Sequence, residues 1–333
     1  MSHWFRPPPP RQPVPVEGDA PAAAPRAGQT IDLLSWNVQF CGSRRHHFFY
    51  DGGSDVHVPE AEVRATQASM AALLGRVRPA LLLLQEVDRD SRRTQRIDQL
   101  PALVAAAGAR RWASTWYHRA PFVPHPLPTM LGRVDMHLAL ACRTALVGAE
   151  RLQLPLLRES RVRQAFNLKR ALLWASVPVE GWRRPLHLAV AHLSAFSRGD
   201  GTMERQIAAL AAWMGEREDA GQPWVLAGDL NLLPPGDDPG RLPDGRETYA
   251  DWPNPIERLT TRFRTAVPSA RWLDPEQRTY LPYGATSPDR KIDWIFLGPR
   301  VEAVSAGPLP DLEGLSDHLP LHARIALAPE RTP

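Results

Sequence analysis

The run Val225-Leu-Ala-Gly-Asp-Leu-Asn-Leu-Leu233 reads as a buried strand that ends near Gly228 and then presents Asp229 and Asn231. Every other side chain in the run is apolar or absent. In a layered α/β fold, polar groups just past the carboxyl end of a buried strand are the usual place for chemistry. A carboxylate and a carboxamide two residues apart share a face where the backbone stays extended. One can hold a cation or a water, and the other can donate to an anionic oxygen. Asp and Asn also favour turns after strands, so the run alone fits a turn equally well.

The same pattern recurs along the chain. Ile31 to Asn37 and Ala80 to Leu84 are apolar runs ending at Asn37 and at Gln85-Glu86. Leu186 to His192 ends in a histidine, and Asp293 opens the apolar run to Leu297. Asp317-His318 precedes the last strand candidate, Leu319 to Leu327. Helices are predicted from Pro59 to about Val77, over 98–107, from Thr202 to Glu218 with Ile207, Leu210, Ala211 and Met214 on one face, and near 256–263. Further strands are predicted at 112–117, 137–141, 146–154, 168–179 and 301–306, and a long loop at 234–255. Each polar strand end has a structural explanation by itself. Eight of them, Asn37, Glu86, His192, Asp229, Asn231, Asp293, Asp317 and His318, would be costly to bury unless they satisfy one another or a metal.

Composition sets outer limits. The 333 residues are 43% hydrophobic and 23% charged, which suits a soluble globular chain with a sizeable core. The net charge of +4 comes almost wholly from arginine. Together with abundant Ala and Pro this matches a GC-rich coding sequence, so it is weak evidence for nucleic-acid binding. Cys41 and Cys142 are too few for a disulfide framework or a zinc set and point to a reducing compartment. Residues 1–30, with Pro7 to Pro10 and further prolines, are expected to form a disordered tail, 31–328 a catalytic domain, and 329–333 a short C-terminal tail. No apolar leader core or twenty-residue apolar span is present, so the expectation is a cytoplasmic protein without a transmembrane segment.

Taken in order, Ser35-Trp-Asn37-Val, Leu84-Gln-Glu86-Val, His192-Leu, Gly228-Asp229-Leu-Asn231, Lys291-Ile-Asp293-Trp-Ile and Ser316-Asp317-His318-Leu-Pro resemble the motifs of the endonuclease/exonuclease/phosphatase superfamily. That group includes DNase I, exonuclease III-type endonucleases, inositol polyphosphate 5-phosphatases and neutral sphingomyelinases. The resemblance spans about residues 31 to 327. It implies an α/β fold, a four-layer α/β/β/α sandwich with two central mixed sheets, and Mg²⁺-dependent hydrolysis of a phosphate ester, with Mn²⁺ as a substitute. The residue types suit that chemistry, because a phosphate ester repels hydroxide and needs a cation with hard oxygen ligands. Glu86, Asn37 and Asp317 are the expected metal residues. His318 is the expected base, oriented by Asp293. Asp229 would orient water or contact metal, and Asn231 and His192 would donate to phosphate oxygens.

Two departures stand out. Gln39 occupies a place where exonuclease III-type enzymes often carry Asp, which weakens the case for a second metal. His137 and Cys142 replace small residues in a strand, which predicts a reshaped surface there. Arg44, Arg45, Arg92 and Arg93, with Arg198, are expected to rim a basic cleft, interleaved with Phe48, Phe49, Tyr50, Trp116, Tyr117 and Phe122. Such aromatics stack on bases or enter a lipid surface. The favoured expectation is a phosphodiesterase or nuclease acting on nucleic acid or a nucleotide, with no stable protein partner. A sphingomyelinase-like lipid phosphodiesterase or headgroup phosphatase comes second. An inactive scaffold comes last, since every core motif residue is present.

Overall fold

The computed structural model describes residues 8–18, 23–195, 199–249, 253–310 and 314–330. Its strands in chain order are β1 (Arg11–Val14), β2 (Thr30–Asn37), β3 (Leu81–Asp88), β4 (Arg111–Val123), β5 (Gly132–Cys142), β6 (Val147–Gln153) and β7 (Ala171–Val177). They continue with β8 (Leu186–His192), β9 (Trp224–Asp229), β10 (Arg264–Thr265), β11 (Asp293–Leu297), β12 (Val301–Pro308) and β13 (Leu321–Leu327). The helices are α1 (Glu60–Val77), α2 (Leu100–Ala106), α3 (Arg161–Phe166), α4 (Thr202–Asp219), α5 (Gly245–Thr248) and α6 (Glu257–Thr260).

Seven strands form one sheet in the order β1-β6-β7-β8-β9-β11-β10, and six form another in the order β12-β13-β2-β3-β5-β4. Both sheets are mixed: β8–β9 and β2–β3 are parallel and the remaining pairs antiparallel. The apolar runs of the sequence lack alternation because both faces of these strands are covered. On β3, Leu81 and Leu83 join the core between the sheets, while Leu82 and Leu84 join the cluster under α1 and α2. On β9, Val225 and Ala227 face the sheet interface, while Trp224 and Leu226 pack with Ile207, Leu210 and Met214 of α4. The result is the expected four-layer α/β/β/α sandwich.

The space between the sheets positions the site. Asn37, His192, Asp229 and Asp293 have the same parity as the inward-facing residues of β2, β8, β9 and β11. They therefore sit where the intersheet core opens at one end. Gly228 is required there. With φ 148°, a β carbon on it would lie 1.9 Å from the Ala191 carbonyl oxygen on the paired strand β8.

Several expectations need correction. Residues 11–14 are not a disordered tail: β1 pairs antiparallel with β6, and Glu17 bridges to Trp112. Val14 and Val16 pack on the intersheet core, and Pro13 is tolerated because an edge strand can do without one N–H. Residues 1–7 lie outside the described residues. Helix α3 interrupts the region between two predicted strands, with Ser160 accepting from the Arg163 amide at its start. Helix α5 lies in the predicted long loop. His137 and Cys142 reshape no surface, for both are buried, His137 bonding Asp135 at 3.1 Å.

Replacing Gly228 by Ala should force β8 and β9 apart and cost about 1–3 kcal/mol or more in chemical denaturation. Gly148→Ala, at φ 57° with open space around it, should cost less. Equal losses would remove the close-approach argument.

Candidate active site

The eight polar strand-end residues converge. Asp229 is the centre of the cluster. Its Oδ2 lies 3.1 Å from Asn37 Nδ2, 3.2 Å from His192 Nε2 and 3.5 Å from His318 Nε2. Its Oδ1 accepts the Asn231 amide at 3.0 Å. Asn37 Nδ2 also reaches Glu86 Oε1 at 3.3 Å. His318 Nδ1 meets Asp293 Oδ2 at 2.8 Å, the expected orienting pair.

Local folding explains these placements. The β3–β5 register slips between Leu84 and Val87, and Glu86 adopts φ 58° inside that bulge. Regular alternation would aim Glu86 at the outer helix layer, and the bulge turns it into the cleft instead. Asn231 also has a positive φ of 53°, at a position where Asn tolerates the left-handed region. The segment carrying Asp317 and His318 is tied to β2 by Ser316 Oγ donating to the Asn37 carbonyl at 2.7 Å and Trp36 Nε1 to the His318 carbonyl at 2.9 Å. Gln39 supplies the third tie, its Oε1 accepting the Asp317 amide at 3.2 Å. Gln39 thus works as a loop anchor.

These groups form the floor of a cleft of about 800 Å³ whose lining includes Asn37, Glu86, His192, Asp229, Asn231, Asp317 and His318. Asp293 stands behind His318, 1% exposed. Of the four expected basic residues, Arg93 alone lines the cleft. Its guanidinium is paired with Asp88 at 2.8 and 3.0 Å and stacks over Phe40. Arg44 is spent on the carbonyls of Pro282 and Ala285, and Arg45 and Arg92 are exposed. Charged side chains in surface loops find local acceptors, which residue type alone does not reveal. Arg198 lies outside the described residues. Phe48 is buried against Phe40 and Tyr50, so it is not a surface aromatic.

The sequence reading missed several lining groups: Asp51, His118, Arg163, Arg170, Asp244, Tyr249, Tyr280 and Arg290. Most lie in loops or short helices, away from strand ends. Tyr117 is expected among the aromatics that stack on bases or enter a lipid surface. It is instead buried, its hydroxyl 3.1 Å from His192 Nδ1. Its alternation with Ala113 and Thr115 on one strand face was the available signal.

The two histidines are driven apart electrostatically. Burial opposes charge on His318, but the Asp293 and Asp229 carboxylates outweigh it and raise its pKa well above the usual value. His192 is held well below it by burial and by the charges of Arg170 and His318. Both ring nitrogens of His192 face protein groups, Nε2 at 3.2 Å from Asp229 Oδ2 and Nδ1 at 3.1 Å from the Tyr117 hydroxyl.

Two carboxylates of the floor are held from ionising, by burial first and by their neighbours' charges second. Burial raises Asp317 from 3.8 to about 8, against the His318 charge, with Glu86, Asp51 and Asp229 adding to the rise. Burial likewise lifts Asp229 to about 7, the His318 charge opposing and Asp293 reinforcing. Clustered hard oxygens fit a divalent cation. Among the described residues, donor atoms of Asp229, Asp293 and His318 also lie within 4.8 Å of one another. That trio includes the hydrogen-bonded His318–Asp293 pair, and Glu86, Asn37 and Asp317 line the same cleft.

A pH dependence follows. Asp317 has a folded pKa above its unfolded one, so the folded state binds the extra proton. This contribution is complete below the unfolded value of 3.8 and is lost as pH rises through about 8. In EDTA, the Tm of the wild type should fall relative to that of Asp317→Asn between about pH 5 and 8. Added Mg²⁺ or Mn²⁺ should close the gap. Parallel Tm profiles in EDTA would refute the charge-frustrated floor.

The comparisons with known proteins come to the same place. Residues 34–318 match the model of the Endonuclease/Exonuclease/phosphatase family. Among solved structures, an endonuclease/exonuclease/phosphatase from Beutenbergia cavernae aligns at TM-score 0.59 and 21% identity, over 90% of this chain and 72% of that one. The human Nocturnin catalytic domain aligns at TM-score 0.59 and 16% identity, over 95% and 97%. A mannosyl-6-phosphatase from Bacteroides thetaiotaomicron aligns at TM-score 0.55 and 13% identity, over 89% and 99%. At these identities the likeness is one of fold. No curated protein matches the chain. With its family model spanning both sheets and all eight strand-end residues, the chain belongs to the endonuclease/exonuclease/phosphatase family.

Proposed function

We propose that this chain is a divalent-cation-dependent phosphoesterase of the phosphodiesterase or nuclease type. The observation that carries this reading is the His318–Asp293 pair at 2.8 Å on a cleft floor of clustered carboxylates. Glu86, Asn37 and Asp317 would hold the cation, Mg²⁺ or Mn²⁺. Bound there, a divalent cation would supply positive charge to the phosphate and offset the carboxylate field around His318. Asp293 fixes the proton on Nδ1 of His318, so Nε2 faces the cleft and takes the proton of the attacking water. Asp229, held by Asn37, His192 and Asn231, orients that water. Asn231 donates one amide hydrogen to the Leu193 carbonyl at 3.1 Å. Its second is free for a non-bridging phosphate oxygen.

A nucleotide or the end of a polynucleotide is the favoured substrate. The cleft of about 800 Å³ falls in the size range of small-ligand pockets. Phe49, Tyr50, Tyr249 and Tyr280 in its walls suit stacking on a base. One observation favours a lipid substrate instead. Phe122 and Leu127, 45% and 72% exposed, flank the cleft-lining Val123–His125 segment. Loss of liposome binding in Phe122→Ala with Leu127→Ala, alongside hydrolysis of sphingomyelin but not of nucleotides, would select that reading.

Hydrolysis of a diester panel should require Mg²⁺ or Mn²⁺ and stop in EDTA. Glu86→Gln should lose most turnover while keeping its fold by circular dichroism. Full activity in EDTA would overturn the cation requirement.

His318→Ala should lower kcat by about 10²–10⁴-fold. Adding Asp293→Ala should cost little more, because the two act as one unit. Multiplicative losses would break up the pair.

A further inference from the structure

Four arginines line the cleft: Arg93, Arg163, Arg170 and Arg290. Two are already neutralised, Arg93 by Asp88 and Arg290 by Asp244 and Asp289 at 2.7 Å each. Arg163, on α3, is exposed. Arg170 is different. It is 6% exposed, and its Nε and Nη1 are buried without a hydrogen-bond partner among the described residues. Among those residues it has no carboxylate at ion-pair distance. Glu159, on the same cleft lining, is taken up by Asn167 Nδ2 at 2.9 Å.

A guanidinium stays charged at any pH a protein meets, so it cannot escape burial by losing its proton. A buried cation without a counter-ion destabilises a fold, and a chain that keeps one gains from it elsewhere. Its fork of N–H donors matches phosphate oxygens. Arg170 lies over the Tyr117 ring, 5.3 Å from its centroid. The hydroxyl of that ring lies 3.1 Å from His192 Nδ1, with the two ring centroids 5.5 Å apart. Arg170 therefore stands one aromatic ring away from the cluster that would hold the scissile phosphate.

We propose that Arg170 anchors a second anion subsite, which takes a phosphate of the substrate other than the one being hydrolysed. Arg163 adds positive charge to the same lining. This rests on the phosphoesterase reading and narrows it: substrates with two phosphate groups are preferred over single-phosphate esters.

The first test needs no turnover. In EDTA, inorganic phosphate should raise the Tm of the wild type and leave that of Arg170→Met unchanged. Without phosphate, Arg170→Met should melt no lower than the wild type, because removing an unpaired buried cation relieves the fold. If Arg170→Met melts lower and Arg170→Lys restores the wild-type Tm without phosphate, the cation is structural and the subsite is wrong. An identical phosphate response in wild type and Arg170→Met also overturns it. The second test compares the p-nitrophenyl ester of a nucleoside 5′-phosphate with and without a 3′-phosphate. Arg170→Met should raise KM about 10- to 100-fold for the bisphosphate and leave both kcat and the mono-phosphate ester nearly unchanged. Equal losses on both esters would overturn the subsite. A phosphate-dependent Tm without any hydrolysis would leave the subsite standing and sink the phosphoesterase reading.

Discussion

Everything at the cleft floor depends on one carboxylate. Asp229 Oδ2 faces three nitrogens, from β2, β8 and the segment before β13. Its hydrogen bond to Asn37 joins the two sheets at the end where their shared core opens. A buried carboxylate is tolerable only with such partners, and each partner is in turn fixed by it. Removing Asp229 would therefore do more than delete a catalytic group, since His192 and Asn37 would lose the acceptor that aims them.

The cleft is electrically lopsided. Its floor concentrates buried carboxylates that raise one another's pKa, opposed by the charge of His318 and, at Asp229, by the Asn37 hydrogen bond. Its wall carries the Arg170 guanidinium, whose Nε and Nη1 have no hydrogen-bond partner among the described residues. On the proposed reading, a cation would settle on the floor and an anion on the wall. A phosphate ester with a bound divalent ion would supply both at once.

Much of this was legible in the sequence. Apolar runs closed by single polar residues identified the central strands and all eight clustered side chains, because burial of both sheet faces leaves polarity nowhere else to go, whereas the edge strands β1 and β10 were not legible. What could not be read was anything set by contact across the fold. The aim of Glu86 depends on a bulge that its own strand does not announce. Arg44 and Arg93 looked like substrate ligands until the carbonyls of 282 and 285 and the Asp88 carboxylate came beside them. Arg170 showed nothing in the sequence to separate it from its neighbours Lys169 and Arg163. The early prolines suggested disorder, and a free sheet edge overrode that preference.

The outermost strands of the seven-stranded sheet carry a further consequence. At one edge lies β1, with Pro13 in its four residues; at the other lies β10, only two residues long. A missing amide hydrogen and a very short strand are both poor templates for another chain's backbone. Among the described residues, both edges of this sheet therefore disfavour its growth by strand addition between crowded copies of the protein.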